Sequence, residues 1–146
     1  MGSGELLDQL LWISDALASD MDTYLRNHGL TPAKAHLLWT LGSSGPCRQR
    51  DLAQAVGHSP RHVTTLVDEL ISSGYVTRQA HPTDRRAVLI RLTEQARALL
   101  DQMATGRTEL AGQLFGHLTS TERSQLGQHL GDLAQRLSSL GAAGQP

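Results

Sequence analysis

The residues able to do chemistry are mostly arginines, and they cluster. Between Arg48 and Arg91 lie seven arginines (48, 50, 61, 78, 85, 86 and 91) against four acids (Asp51, Asp68, Glu69 and Asp84), a net charge of +3. The remainder of the 146-residue chain is net −4, so the whole carries −1. A guanidinium presents five N–H donors in a fixed fork and accepts nothing, so its partners are carboxylates, phosphates and other acceptor edges. With a pI near 6.6 the chain is not a bulk polycation. A basic middle between acidic ends is instead a local footprint for a polyanion.

Other chemistries find less support. Cys47 is the only cysteine, so no disulfide forms within one chain. Arg48 beside it would lower the thiol pKa modestly. That leaves a redox switch at Cys47 as an alternative to a structural thiol. Seven histidines (28, 36, 58, 62, 81, 117 and 129) raise the question of metal binding. No pair has ligand spacing with a carboxylate or thiol partner on one helical face, so neither metal nor cofactor is expected. With no Gly-rich phosphate loop and no nucleophile motif, an enzyme ranks last. No apolar run is long enough to cross a membrane, and the N-terminus lacks the basic-then-apolar layout of a signal peptide. The expectation is a cytoplasmic protein with no membrane partner.

The elements that must position these residues are helices, one pair of strands, and helices again. Leu6, Leu10, Ile13, Leu17, Met21 and Tyr24 recur at steps of three and four, predicting a helix from about Glu5 to His28. Thr31-Pro32 opens a second helix through a cap followed by proline, and 42–46 (Gly-Ser-Ser-Gly-Pro) is expected to end it. A short helix near Gln49–Val56 stops at Gly57. Ser59-Pro60 opens the next by the same device, with Val63, Leu66, Val67, Leu70 and Ile71 inward. The period then becomes alternating, predicting strands at Tyr75–Gln79 and Ala87–Leu92 around a polar turn, 80–86. Thr93 caps a fifth helix in which Gly106 and Gly112 are places for a bend. Thr119 to Glu122 fits a capping box for a sixth, carrying Leu126, Leu130, Leu133, Leu137 and Leu140. The tail 141–146 is expected to lack order. Trp12 and Trp39 read first as core or interface residues.

A short helix, a glycine turn, a second helix and a hairpin is the order of a winged helix-turn-helix. The second helix of such a pair presents a small polar face to a DNA groove about 12 Å wide. Here that face offers Arg61, His62, Thr64 and Thr65, and Ser59 with the free N–H groups of the first turn could take a phosphate. The hairpin tip carries Arg85 and Arg86, suited to the narrow, negative minor groove. Arg48, Arg50 and Arg78 are candidate phosphate contacts, although Arg48 or Arg50 fits equally a pairing with a nearby carboxylate.

At these residues the sequence resembles the MarR family of multiple-antibiotic-resistance-type regulators. The stretches that carry the likeness are Leu30-Thr31-Pro32, Arg50-Asp51-Leu52-Ala53, the run 63–70, 74–78, Pro82-Thr83-Asp84-Arg85-Arg86-Ala87-Val88 and Leu92-Thr93. The resemblance covers about residues 5–140. It implies one mainly α domain over 1–146 with a small antiparallel β wing, a DNA-binding lobe at 31–93, and dimerisation helices at 5–28 and 94–140. It implies a homodimer joined by the first, fifth and sixth helices; the stripes of Leu6, Leu10, Ile13, Leu17, Leu126, Leu130, Leu133 and Leu137 fit that interface, the alternative being a core within one chain. It implies major-groove entry of the helix bearing Arg61, His62, Thr64 and Thr65, and a wing in which Asp84 orients Arg86 in the minor groove. Where the family commonly has an acid, this chain has His81. A small anionic or phenolic effector is the family-based expectation, with Tyr24, His36 and Trp39 as candidate pocket residues. The implied function is repression at a pseudo-palindromic operator in double-stranded DNA. The alternative is a protein-interaction module on the same scaffold.

Overall fold

The computed structural model describes residues 1–143. Six helices and three short strands follow in the order α1 (Ser3–Asn27), α2 (Pro32–Ser44), β1 (Cys47–Arg48), α3 (Gln49–Val56), α4 (Pro60–Ser72), β2 (Val76–Ala80), β3 (Val88–Leu92), α5 (Glu94–Phe115) and α6 (Ser120–Ala143). The fold is mainly helical with a small antiparallel wing, as the resemblance implies.

The caps behave as their residue types require. The Thr31 hydroxyl accepts the Lys34 N–H at 3.3 Å, and the Ser59 hydroxyl accepts the His62 N–H at 3.2 Å. Each satisfies one of the N–H groups that a helix start leaves without a partner. Thr93 does the same for Ala96 at 3.2 Å. The capping box at α6 closes in both directions, Glu122 N–H to Thr119 and Thr119 N–H to the Glu122 carboxylate at 2.8 Å. Those bonds from Thr119, backbone first, draw the Glu122 pKa below the usual carboxylate value.

The structure sharpens some expectations and corrects others. Within the expected stop at 42–46, α2 runs on to Ser44 and ends at Gly45, whose φ is +78°. Gly42 serves packing instead, because a Cβ there would stand 2.9 Å from Leu100 of α5. A strand at Cys47–Arg48 was not foreseen. It pairs with Ile90 and Leu89, making the sheet order β1-β3-β2. Finally, 141–143 continue α6 rather than forming a loose tail, consistent with the high helix propensity of Ala142 and Ala143. Residues 144–146 lie outside the described residues.

The chain forms two units, Met1–Asp101 and the segment from Gln102 onward. The core belongs to the first. Leu37, Leu38, Leu52, Val63, Val67 and Leu70 are fully buried, with Ile90 and Val76 of the sheet closing over them. They come from the inward faces expected for α2, α3 and α4, although Ile71 is only half-buried. Lys34 pairs with Glu69 at 2.8 Å, tying α2 to α4, and the Tyr75 hydroxyl donates to the His28 carbonyl at 2.9 Å.

Elsewhere apolar side chains stay in solvent. On α1, Leu6, Leu10, Ile13 and Leu17 are all more than 40% exposed and Trp12 is 73% exposed, so Trp12 is no core residue of this chain. In the second unit α5 runs unbroken through Gly106 and Gly112. There Leu130, Leu133 and Leu137 are exposed and Leu126 is half-buried.

Candidate nucleic-acid interface

The helix pair α3–α4 turns within three residues. Gly57 takes the left-handed conformation (φ 70°, ψ 24°), which costs a residue with a Cβ about 1–2 kcal/mol. His58 N–H then returns to the Ala53 carbonyl at 3.2 Å, and Ser59 starts α4 at once. Buried on one side through Val63, Leu66, Val67 and Leu70, α4 leaves Arg61, His62, Thr64 and Thr65 in solvent. The His62 ring lies edge-on to His58, centroids 4.9 Å apart.

The wing is tightly bonded for a surface loop. His81 N–H donates to the Ala87 carbonyl at 3.0 Å, extending the β2–β3 ladder by one bond. Ala87 N–H returns to the Asp84 carbonyl at 3.1 Å, so Arg85 and Arg86 occupy the two corners of a β-turn. Both are exposed. Asp84 meets Arg86 at the backbone and not at the guanidinium: its Oδ1 accepts the Arg86 N–H at 3.1 Å, as an aspartate opening a turn does. Its Oδ2 takes the Arg48 guanidinium at 3.2 Å.

The candidate phosphate arginines therefore divide. Arg48 is held by Asp84 of the wing, and Arg78 by Asp68 of α4 at 2.6 Å. Arg50 reaches Asp51 only at 3.9 Å and its side chain is 75% exposed. Of the three, Arg50 has the guanidinium most open to a phosphate.

Gln49 is the residue that sequence reasoning missed. Its side-chain amide donates to the Thr64 hydroxyl at 2.7 Å, while that hydroxyl donates to the Pro60 carbonyl at 2.9 Å. Thr64 thus clamps α3 to α4, and its hydroxyl already has a donor and an acceptor. Gln49 neighbours Arg48, so two adjacent side chains reach in two directions. Thr64, Gln49, Arg48, Asp84 and Arg86 make one polar string from the exposed face of α4 to the wing tip. Nothing in local sequence marks Gln49, because its side-chain bond to Thr64 is tertiary.

Cys47 does not show the lowered thiol pKa that its neighbour Arg48 suggested. Burial pushes its thiol pKa up, and the nearby Asp51 carboxylate pushes it further the same way. Arg48, expected to lower it, spends its charge on Asp84. A thiol so placed is a poor thiolate at neutral pH.

Of the candidate effector residues, Trp39 lines an open cavity of about 430 Å³ with Gly42, Ser43, Arg91, Arg97 and Asp101. Tyr24 packs its ring on His28 (4.6 Å), and neither it nor His36 lines that cavity. Among the described residues, no group of three or more His, Cys, Asp or Glu could hold a metal ion, and no helix is long and apolar enough to cross a membrane.

Comparison with known proteins agrees with this geometry. The MarR family profile matches residues 30–88, from the loop before α2 to the start of β3. The HTH-type transcriptional repressor YetL of Bacillus subtilis is 30% identical over 139 residues, covering 94% of this chain and 83% of YetL. Among solved structures, Streptococcus pneumoniae FabT in complex with DNA superposes with a TM-score of 0.78 at 19% identity, covering 95% of this chain and 99% of FabT. The S. aureus MepR–DNA complex gives 0.75 at 24% identity, covering 88% and 95%. At such identities these two speak for the fold; YetL speaks for the family. The chain belongs to the MarR family of winged helix-turn-helix transcription regulators.

Proposed function

We propose that this chain is a sequence-specific DNA-binding repressor that acts as a homodimer on a pseudo-palindromic operator and is released by a small effector. The observation that carries the reading is the polar string from Thr64 through Gln49, Arg48 and Asp84 to Arg86. It couples an exposed helix face to a charged loop tip, the two parts that would have to enter neighbouring grooves together. Arg61, His62 and Thr65 on α4 are the candidate base readers, Ser59 and Arg50 the candidate phosphate contacts, and Arg85 and Arg86 the candidate minor-groove contacts. Thr64 positions more than it reads. YetL, 30% identical, is a repressor, and FabT and MepR of the same fold are seen with DNA.

The dimer is supported by apolar side chains that one chain leaves in water. Leu6, Leu10, Ile13 and Leu17 on α1 and Leu130, Leu133 and Leu137 on α6 are exposed. Burying what each still exposes would contribute on the order of 1 kcal/mol, roughly half the figure for a fully exposed side chain. Two recognition helices in a dimer meet successive major grooves about 34–36 Å apart. An effector that favours a dimer with another spacing would release both half-sites at once. The cavity beside Trp39 is the candidate effector site, where two arginines would suit an anionic or phenolic ring.

The test is fluorescence anisotropy with the duplex upstream of the protein's own gene, against a shuffled duplex, across a salt series. Sedimentation on the same samples establishes whether the dimer is the binding species. Preference for the upstream duplex, a steep salt slope and a loss of about tenfold in Arg86→Ala are expected. Absence of binding to any duplex at low salt by the folded protein would refute the proposal.

A further inference from the structure

The wing contains a histidine doing what turns ordinarily assign to an oxygen. Nδ1 of His81 lies 3.2 Å from the Thr83 N–H and 3.1 Å from the Asp84 N–H. Backbone N–H groups can only donate, so Nδ1 supplies a lone pair and the ring is neutral, its proton on Nε2. Acceptance from two and three residues ahead is the geometry of Asn, Asp, Ser and Thr turns. Pro82 between them has no N–H to compete. Asp84, whose N–H is one of the two held, is the residue whose carboxylate takes Arg48 and the Arg86 N–H. The imidazole therefore sits at the root of the bonds that set the Arg85–Arg86 corner. His28 is the contrasting case: its Nδ1 lies 2.9 Å from the Tyr24 carbonyl, an acceptor, and protonation leaves that bond intact.

We propose that His81 is a positioning residue for the wing, and that a proton on its Nδ1 loosens the wing's hold on DNA. The inference rests on the reading of the wing as a DNA contact. The step is an acid–base one: a solvent proton takes up the Nδ1 lone pair, and the imidazolium then carries N–H at both nitrogens. The two backbone donors then lose their acceptor; the Thr83 hydroxyl, 3.3 Å from Nδ1, can take the new N–H but cannot replace the lone pair for the amides, so the loop must open to turn them toward water. The charged groups around the turn are Asp84, Arg85 and Arg86 within it and Arg48 reaching in from β1. On the flanking strands Arg78 is held by Asp68 of α4 and Arg91 by Gln79. Asp84, the one carboxylate in the loop, is already engaged on both oxygens. The sign of the effect separates it from simple charge. A new positive charge beside DNA would by itself tighten binding, whereas loss of the turn weakens it.

The full-length protein is titrated with the upstream and shuffled duplexes at about pH 8 and about pH 5.5, the span over which histidines change charge, at constant ionic strength. Wild type, His81→Asn and His81→Ala are compared; Asn supplies an acceptor at the same place that does not titrate. Wild type is expected to lose roughly tenfold in affinity for the upstream duplex on acidification, the order set by two backbone hydrogen bonds. His81→Asn should lose less than about twofold, and His81→Ala should already be weak at pH 8. An Asn variant that tracks the wild-type pH response, or a wild type that binds more tightly in acid, overturns the proposal. Amide protection at Thr83 and Asp84, read by NMR without DNA, judges the histidine apart from the DNA reading. Protection lost in acid by wild type but kept by His81→Asn sustains the role of His81; equal protection in both overturns it. A wild type with no duplex preference at pH 8 overturns the DNA reading and the DNA clause of this proposal together.

Discussion

Asp84 makes two separable contributions to the wing, and two substitutions divide them. Its pair with Arg48 spans 3.2 Å between side chains 35% and 46% exposed. A pair this wet is worth about 0–1 kcal/mol. Its bond to the Arg86 N–H at 3.1 Å contributes about 1 kcal/mol net. Asp84→Ala removes both, about 1–2 kcal/mol of local wing order, while global stability changes little because no core side chain is involved. Asp84→Asn keeps an oxygen for the Arg86 N–H and removes only the charge pair. Ordering the freed corner on DNA should therefore weaken the specific complex of Asp84→Ala by roughly five- to thirtyfold per half-site, and that of Asp84→Asn by at most about fivefold. Non-specific binding should move the other way in both, because an acid is gone and Arg48 is released toward phosphate, steepening the salt slope. Anisotropy titrations with specific and shuffled duplexes across a salt series measure both terms. Equal losses of specific affinity in the two variants would refute the turn-based account and assign the effect to Arg48. An unchanged specificity ratio in Asp84→Ala would refute any positioning role for Asp84.

Two further perturbations test the frame beneath the site. Gly57→Ala places a Cβ at φ 70° and should cost about 1–2 kcal/mol, a fall of roughly 2–8 °C in Tm by calorimetry; an unchanged Tm would mean the α3–α4 turn relaxes without strain. Cys47 should alkylate more slowly at about pH 8 than an unhindered thiol, because burial and Asp51 both disfavour its thiolate. Its pKa is raised in the fold, so the corresponding stability is complete below the unfolded thiol value and fades as pH climbs through the folded one. Fast alkylation at neutral pH, read by mass spectrometry, would reopen a redox role.

Much of this architecture was legible in local sequence. Thr31-Pro32, Ser59-Pro60 and Thr93 are caps whose bonds close within three residues, so the helix starts at 32, 60 and 94 need no distant partner. The apolar spacing in α2, α3 and α4 forecast their buried faces, because the helical period is itself local. The Asp84-Arg85-Arg86 tip was also readable, since an aspartate opening a turn bonds two residues on.

Tertiary structure decided what those local signals left open. Within the glycine-rich stop at 42–46 only Gly45 turns the chain, while the missing side chain of Gly42 makes room for Leu100, 58 positions on. Two residues at Cys47–Arg48 carry no strand period; they become a strand only because β3 presents a free edge. Arg48 and Arg78 look alike in sequence, yet each meets a carboxylate brought near by folding, while Arg50 meets almost none. Gln49 carries no signal until α4 places Thr64 against it, and only the loop's path makes His81 an acceptor rather than one more surface imidazole. Sequence alone determined the family, the helical caps and the charged wing, because those depend on neighbours a few residues apart. Only the fold decided which polar groups of α3, α4 and the wing remain open to solvent and which are spent on one another, because a side chain's partner is set by proximity in space.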